Sequence, residues 1–323
     1  MLETVDLKAK LDKDAYRDLQ EKLDLRLGEL QRALRAAKIP VLVLFDGWTA
    51  AGKGSTLSRL LLPLDARGYK VHYVKPPSEE ESLYPPMWRF WNLIPNDGIF
   101  AFFSHSWYRQ VDEPIENGDL AQYYRAAYER IRVFERQLTD DGAVIVKFFL
   151  HIGKKEQKKR FDEMEKDPAF AWKIGKPERR MHKHYNGYLD VYEDMLRETS
   201  TPYAPWTIVP ATDERFRNVM VAETLAAIFE KALAAKEAPR VAPGTGAPRR
   251  TSPLDRVDLG QAVPREEYDV LAPQLQQELR RLQHVCYMER RPVIFAYEGW
   301  DAAGKGGNIR RLVRELDPRE LPS

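Results

Sequence analysis

Two stretches of this chain have residue types and spacing suited to holding phosphate. Gly47-Trp48-Thr49-Ala50-Ala51-Gly52-Lys53 and Gly299-Trp300-Asp301-Ala302-Ala303-Gly304-Lys305 both fit the pattern G-x-x-x-x-G-K. Glycines let the backbone bend until successive N–H groups face one point, and a helix starting at the lysine adds the positive end of its dipole. The lysine then reaches the outer phosphates. Glycine follows each lysine, Gly54 or Gly306, with Ser55 or Gly307 next. The residues expected to hold phosphate or nucleotide are Gly47, Gly52, Lys53, Gly54 and Ser55 in the first loop. In the second they are Gly299, Gly304, Gly306 and Gly307. One such match can be a turn that merely needs small residues. Here each follows an expected hydrophobic strand, precedes a helical pattern, and occurs twice.

The loops differ in one chemically important place. The second contains Asp301 where the first has Thr49. A carboxylate there can hold Mg²⁺ against phosphates, as phosphoryl transfer requires, and threonine lacks that charge. Some other P-loop enzymes do without an acid in the loop, so this difference alone does not decide which loop works. Elsewhere Lys154, Lys155, Lys158, Lys159 and Arg160, with Lys173, Lys176, Arg179 and Arg180, make a basic region suited to a polyanion. The same charges also suit a solvated helical face paired with Glu156, Asp162 and Glu163. His182 and His184, two apart on an expected helix, read as surface residues.

The elements that position the loops follow from periodicity. Apolar residues recur at helical spacing from about residue 13 to 37, and Val41 to Phe45 is a continuous apolar run of buried-strand type. Further strands are predicted near residues 69–74, 99–103, 143–149 and 206–209. Helices are predicted near 86–93, 119–137, 154–166, 177–198 and 214–234. That alternation implies a parallel sheet covered on both faces.

The chain also repeats itself. Pro40 to Gly54 align without gaps on Pro292 to Gly306, each residue 252 positions from its counterpart, and Tyr16, Leu19, Leu23, Leu27 and Leu30 fall on Tyr268, Leu271, Leu275, Leu279 and Leu282. A period this long signals duplicated domains. Between the copies, a Pro, Gly and Ala-rich stretch reads as a linker. The expected organisation is a first domain over 1–238, a linker over 239–254, and an incomplete second domain over 255–323, lacking counterparts of about residues 68 to 234.

Composition narrows the partners. The 323 residues carry 51 Lys and Arg against 49 Asp and Glu, a formal charge of +2, which gives no general attraction to nucleic acid or membranes. One cysteine, Cys286, excludes an internal disulfide. No apolar stretch has bilayer-spanning length and the first residues lack a signal-peptide order, so a cytoplasmic protein is expected.

The first copy resembles the polyphosphate kinase 2 family over nearly all of residues 12–234, and the resemblance resumes at 264–323. Besides the loop, it rests on Lys75-Pro76-Pro77-Ser78-Glu79-Glu80-Glu81, Ser106-Trp107-Tyr108, Gln157-Lys158-Lys159-Arg160-Phe161 with Asp167-Pro168 and Trp172-Lys173, and Thr199 to Trp206. Two fused copies resemble the two-domain members, the polyphosphate:AMP phosphotransferases. The resemblance implies an adenylate-kinase-like P-loop α/β fold with a helical lid, followed by the start of a second copy. It implies Mg²⁺, inorganic polyphosphate and a nucleotide (AMP or ADP) as substrates, with a homo-oligomer left open. It extends polyphosphate contact to Lys158, Lys159, Arg160 and Arg109. The first copy departs from the pattern twice. Thr49 stands for the loop acid, and Ser104-His105 stand where Asp-Arg is expected; Gln110, beside Arg109, replaces a usual arginine. The resemblance therefore implies a first copy that holds phosphate but transfers it poorly, and leaves catalysis to the second through Lys305 and Asp301, the expected metal ligand. The rivals are an ATP-dependent nucleotide kinase of the same fold and a non-catalytic structural or regulatory domain.

Overall fold

In a computed structural model of the chain, residues 1–111, 122–168, 170–237 and 252–316 are described. The chain divides into two units, Met1–Arg240 and Val241–Ser323.

The first unit is built on five parallel strands: β1 (Val41–Gly47), β2 (Tyr69–Tyr73), β3 (Phe100–Ser104), β4 (Val144–His151) and β5 (Trp206–Pro210), in the order β2-β3-β1-β4-β5. All five sequence-predicted strands are present. β1 lies at the centre, with Val41 paired to Phe100 on one side and Val144 on the other. It is buried along its whole length, which is why it reads as an unbroken apolar run. The chain leaves β1 toward the β3 and β2 side and later returns to β4 on the other. That reversal opens a crevice at the carboxyl ends of the strands, where such sheets bind ligands.

Helices cover both faces: α1 (Lys13–Ala36), α2 (Lys53–Leu61), α3 (Trp88–Trp91), α4 (Gln122–Asp140), α5 (Lys154–Lys166), α6 (Lys176–Lys183), α7 (Tyr185–Thr199) and α8 (Glu214–Glu237). α1 buries Leu23, Leu27, Leu30 and Leu34, the face its periodicity marks, and packs along α8. The single helix predicted over 177–198 is two, α6 and α7, broken at His184, whose φ and ψ of −101° and 26° are not helical. The start of the helix predicted over 119–137 lies outside the described residues.

The second unit contains α9 (Arg265–Met288) and α10 (Lys305–Val313). Their bounds are those of α1 and α2 displaced by 252 positions. The positive φ of Lys38, 56°, recurs at Arg290, 52°. Asp24 on α1 binds Arg59 on α2 at 2.6 Å, and at the matching positions Gln276 Nε2 donates to the Arg311 carbonyl at 3.0 Å. The strand expected before the second loop, in the stretch aligned with β1, is not formed. A strand needs a neighbour to take its backbone hydrogen bonds, and the described residues of this unit include no counterpart of β3 or β4. Ile294 is accordingly 92% exposed, whereas its counterpart Leu42 is fully buried.

Candidate functional site

The first loop begins where β1 ends, at the mouth of the crevice. Gly47 and Gly52 have φ of 116° and 96°, and Ala50 between them is left-handed at 65°. A Cβ at Gly47 would lie 2.3 Å from the Leu150 carbonyl oxygen on β4, and one at Gly52 would lie 2.2 Å from Arg217 Nη1. Both glycines are thus demanded by backbone hand and by a neighbour. The left-handed residues turn successive N–H groups toward one side, forming an anion nest. α2 starts at Lys53 without a side-chain cap, whereas α1 is capped by Asp12, whose Oδ1 accepts from the Asp14 and Ala15 N–H groups at 3.0 Å. An anion seated in the loop would complete that uncapped turn.

The carbonyl side of the loop is held by side chains. Lys53 Nζ donates to the carbonyls of Gly47 at 2.7 Å and Trp48 at 3.0 Å. Gln157 Nε2 on α5 donates to the Thr49 carbonyl at 3.3 Å, and Arg160 Nη1 to that of Ala50 at 2.9 Å. Arg217 Nη1 on α8 donates to the Ala51 carbonyl at 3.3 Å. Five consecutive carbonyls therefore each accept from a side-chain cation or amide. Arg160 also holds the carbonyls of Ala211 and Thr212 beyond β5, at 2.8 and 2.9 Å, and pairs with Glu156. It is directed inward, while Lys158 and Lys159 on the same helix are exposed.

The lid helices close over the loop tip. Trp48 is fully buried, stacked on Tyr185 of α7 with ring centroids 3.9 Å apart, and its Nε1 donates to His151 Nδ1 at 2.9 Å. Nδ1 can accept only while unprotonated, and burial lowers the His151 pKa to about 4. The Thr49 hydroxyl contacts Met181 Sδ of α6 at 3.6 Å. Half-buried His182, read from the sequence as a surface residue, has Nδ1 2.9 Å from Gln157 Oε1.

Acidic and basic groups meet at the ends of β1 and β3. Asp46, 4% exposed, accepts from the Ser106 hydroxyl at 2.7 Å. Burial raises its pKa, opposed by that hydrogen bond and by the charges of Lys53, Lys147 and Arg109. His105 is left-handed at 57°. Burial, together with Lys53 and Arg109, pushes its imidazole well below the usual range. Behind this turn, Trp107 Nε1 and the Tyr108 hydroxyl both donate to Glu135 Oε1, at 3.0 and 2.8 Å. Lys147 Nζ donates to Glu135 Oε2, the Tyr108 hydroxyl and the Thr199 carbonyl, each at 2.8 Å.

The structure thus gathers Gly47, Gly52, Lys53, Gly54, Ser55 and Arg109 at one crevice. Ser55 Oγ accepts from Arg217 Nη2 at 3.0 Å and donates to the Gly52 carbonyl at 3.0 Å, so its hydroxyl serves the loop itself. In the second unit Gly299, Ala302 and Gly304 repeat the loop with φ of 155°, 61° and 86°. Lys305 Nζ there donates to the carbonyls of Gly299 and Trp300 at 2.7 and 2.8 Å. Asp301, Gly306 and Gly307 are exposed. Asp46 and Arg217 escaped the sequence reading, and Gln157 entered it only as the first residue of the lid motif. Asp46 left a signal, an acid just before the loop matched by Glu298 at the same place in the repeat.

A magnesium ion takes several oxygen ligands. In the first unit the residues do not fit it: Asp46 is engaged by Ser106, Thr49 faces Met181, and Ser104 and His105 stand at the other expected acid position. Among the described residues no group of three or more His, Cys, Asp or Glu is close enough to hold a metal, and no helix is long and apolar enough to cross a membrane.

Comparison with known proteins agrees with this geometry. The chain is 36% identical over 330 residues to the polyphosphate:AMP phosphotransferase of Pseudomonas aeruginosa and 32% identical over 333 residues to that of Pseudomonas syringae pv. tomato. Each match covers 99% of this chain, and the chain spans 66% of the length of either relative. The crystal structure of polyphosphate kinase 2 from Arthrobacter aurescens TC1 superimposes with a TM-score of 0.68 at 29% identity, covering 72% of this chain and 85% of that one. A Pseudomonas aeruginosa structure assigned to polyphosphate kinase 2 gives 0.69 at 39% identity, over 72% of this chain and 50% of that one. The family profile of polyphosphate kinase 2 matches residues 10–237 and again 262–322. With two loops of one shape, a five-stranded parallel sheet behind the first, and the family pattern over both stretches, this chain belongs to the polyphosphate kinase 2 family.

Proposed function

We propose that the protein moves phosphoryl groups between inorganic polyphosphate and a nucleotide, in the direction polyphosphate plus AMP to ADP. The observation that carries this is the paired loops, each with its lysine amine drawn into the turn, in a chain whose relatives are named for that reaction. The two units divide the work. The first, over 1–238, grips phosphate through loop N–H groups and Lys53. The second, over 255–323, is the opening of another copy of the fold and transfers the group through Asp301 and Lys305. The linker assigned to 239–254 lies, up to residue 251, outside the described residues.

The transfer is an in-line displacement by a nucleotide phosphate oxygen on the terminal phosphorus, for which positioning and charge stabilisation suffice. In the second unit loop amides orient the phosphate and Lys305 spreads its charge; in the first, exposed Lys158 and Lys159 add contacts to a polyanion held by that unit's own loop. Magnesium, carried by Asp301, would neutralise charge on the transferring group.

The test is a donor swap with AMP as acceptor, run on the protein and on its Asp301→Asn and Lys53→Ala variants. ADP should form from polyphosphate and not from ATP. Asp301→Asn should lower turnover on the order of a hundredfold, the scale of losing a group that stabilises the transition state, while Lys53→Ala leaves turnover largely intact. ATP as the better donor would establish the nucleotide-kinase reading instead. Equal losses in both variants would refute the division of work.

A further inference from the structure

A phosphate-binding loop has to solve an electrostatic problem that its glycines do not address. Every residue that contributes an N–H to the nest also contributes a carbonyl oxygen, which repels an anion. The oxygens must be kept on the outer side. In the first unit the carbonyls of residues 47–51 all accept from side-chain donors. Two of the five depend on Lys53, which must also serve the phosphate. Those of Thr49 and Ala50 depend on α5, a lid helix. The Ala51 carbonyl depends on Arg217.

Arg217 differs from the others in its support. It is 2% exposed, on a helix of 24 residues packed along α1. Its guanidinium fills the space in which a Cβ at Gly52 would stand. One nitrogen takes the Ala51 carbonyl, and the other takes both Ser55 Oγ and Glu214 Oε1, the latter at 3.2 Å. A planar fork can serve loop and helix together; an ammonium, a point donor, cannot. The second loop has the same backbone turn, so local sequence sets the shape. What Arg217 adds is restraint, with a positive charge behind the nest.

We propose that Arg217 is a positioning residue for phosphate capture by the first loop: from behind, it holds the Ala51 carbonyl and the Ser55 hydroxyl turned away from the anion. This rests on the reading that the first loop binds polyphosphate.

The experiment is calorimetric titration of the whole chain with tripolyphosphate, in a Lys305→Ala background that silences the second loop. Lys53→Ala, Arg217→Lys and Arg217→Met are compared at several ionic strengths, with a melting temperature for each. Lys53→Ala should weaken binding; if it does not, the reading of the loop itself fails, whatever Arg217 does. Arg217→Lys should melt within a few degrees of its parent yet bind on the order of tenfold more weakly, the scale of one lost charge-assisted contact. In Arg217→Lys, which keeps the charge, the dependence on ionic strength should stay that of the parent. Parent-like affinity in Arg217→Lys and Arg217→Met overturns the proposal. So does a flattened salt dependence in Arg217→Lys, or an affinity loss that merely follows melting temperature. Should Arg217→Met fail to fold, Arg217→Lys decides alone.

Discussion

His151 shows how one buried ring ties loop stability to pH. Its Nδ1 accepts from Trp48 only in the neutral form, and burial holds its folded pKa near 4 against 6.5 for the free side chain. The unfolded chain therefore takes up this proton first as pH falls. The contribution is complete above about 6.5 and is lost on descending toward 4; a difference of that size corresponds to about 3 kcal/mol. Thermal melts at pH 7 and pH 4.5 should show a drop that shrinks in His151→Gln, whose amide oxygen can still accept from the indole but does not titrate. Equal drops in both proteins would place the acid sensitivity elsewhere. At this scale the sequence reveals what backbone geometry demands. Gly47, Gly52 and Lys53 were legible because a phosphate nest needs those types at that spacing. Arg217 was not, and Gln157 was legible only as part of a motif and not in its role, because a polar side chain turned inward by tertiary packing has the same spelling as one on the surface. Arg160 shows the converse. It read as part of a basic stripe, and the fold spends it on three carbonyls.

At the scale of elements, the turn after β3 is fixed by a buried ion pair. Lys147 of β4 and Glu135 of α4 are both fully buried and 2.8 Å apart, and every proton of the ammonium has an acceptor. Burial lowers the Lys147 pKa, with the Glu135 charge opposing it. Breaking such a pair from one side strands a charge in the core and costs about 3–5 kcal/mol. Lys147→Met should lose stability of that order in urea denaturation, and adding Glu135→Gln should restore part of it by removing the stranded charge. A double variant as unstable as the single would refute this account. The network also explains why Trp107 and Tyr108 belong to the motif: they are two of the three donors that satisfy Glu135. The sequence placed all five strands of the first unit, although only β1 was read as an unbroken apolar run and β2 carries Lys70 and His72. It missed the break at His184, because the helical pattern of 177–198 continues through a residue whose backbone does not. It also implied a strand before the second loop, by alignment with β1, although strands exist only in pairs.

Across the whole molecule, the two units differ in how far their apolar residues are covered. The first has a continuous core running from Leu2 to Phe229. In the second, Leu275 is 61% exposed and Phe295 60%. Cooperative unfolding requires a core to lose. The heat-absorption peak of the chain should therefore come from the first unit, and a fragment of residues 1–237 should reproduce its midpoint within a few degrees in scanning calorimetry. A fragment that melts well below the chain would show that residues beyond 237 support the fold.

The stack of Trp48 on Tyr185 limits how the crevice can open. The indole is part of the loop and the phenol is the first residue of α7. A swing that keeps this stack intact would pivot at His184, carrying α6 away and leaving α7 behind. Entry and exit of a long anion would then proceed from the Met181 side, sideways along the loop rather than down onto it.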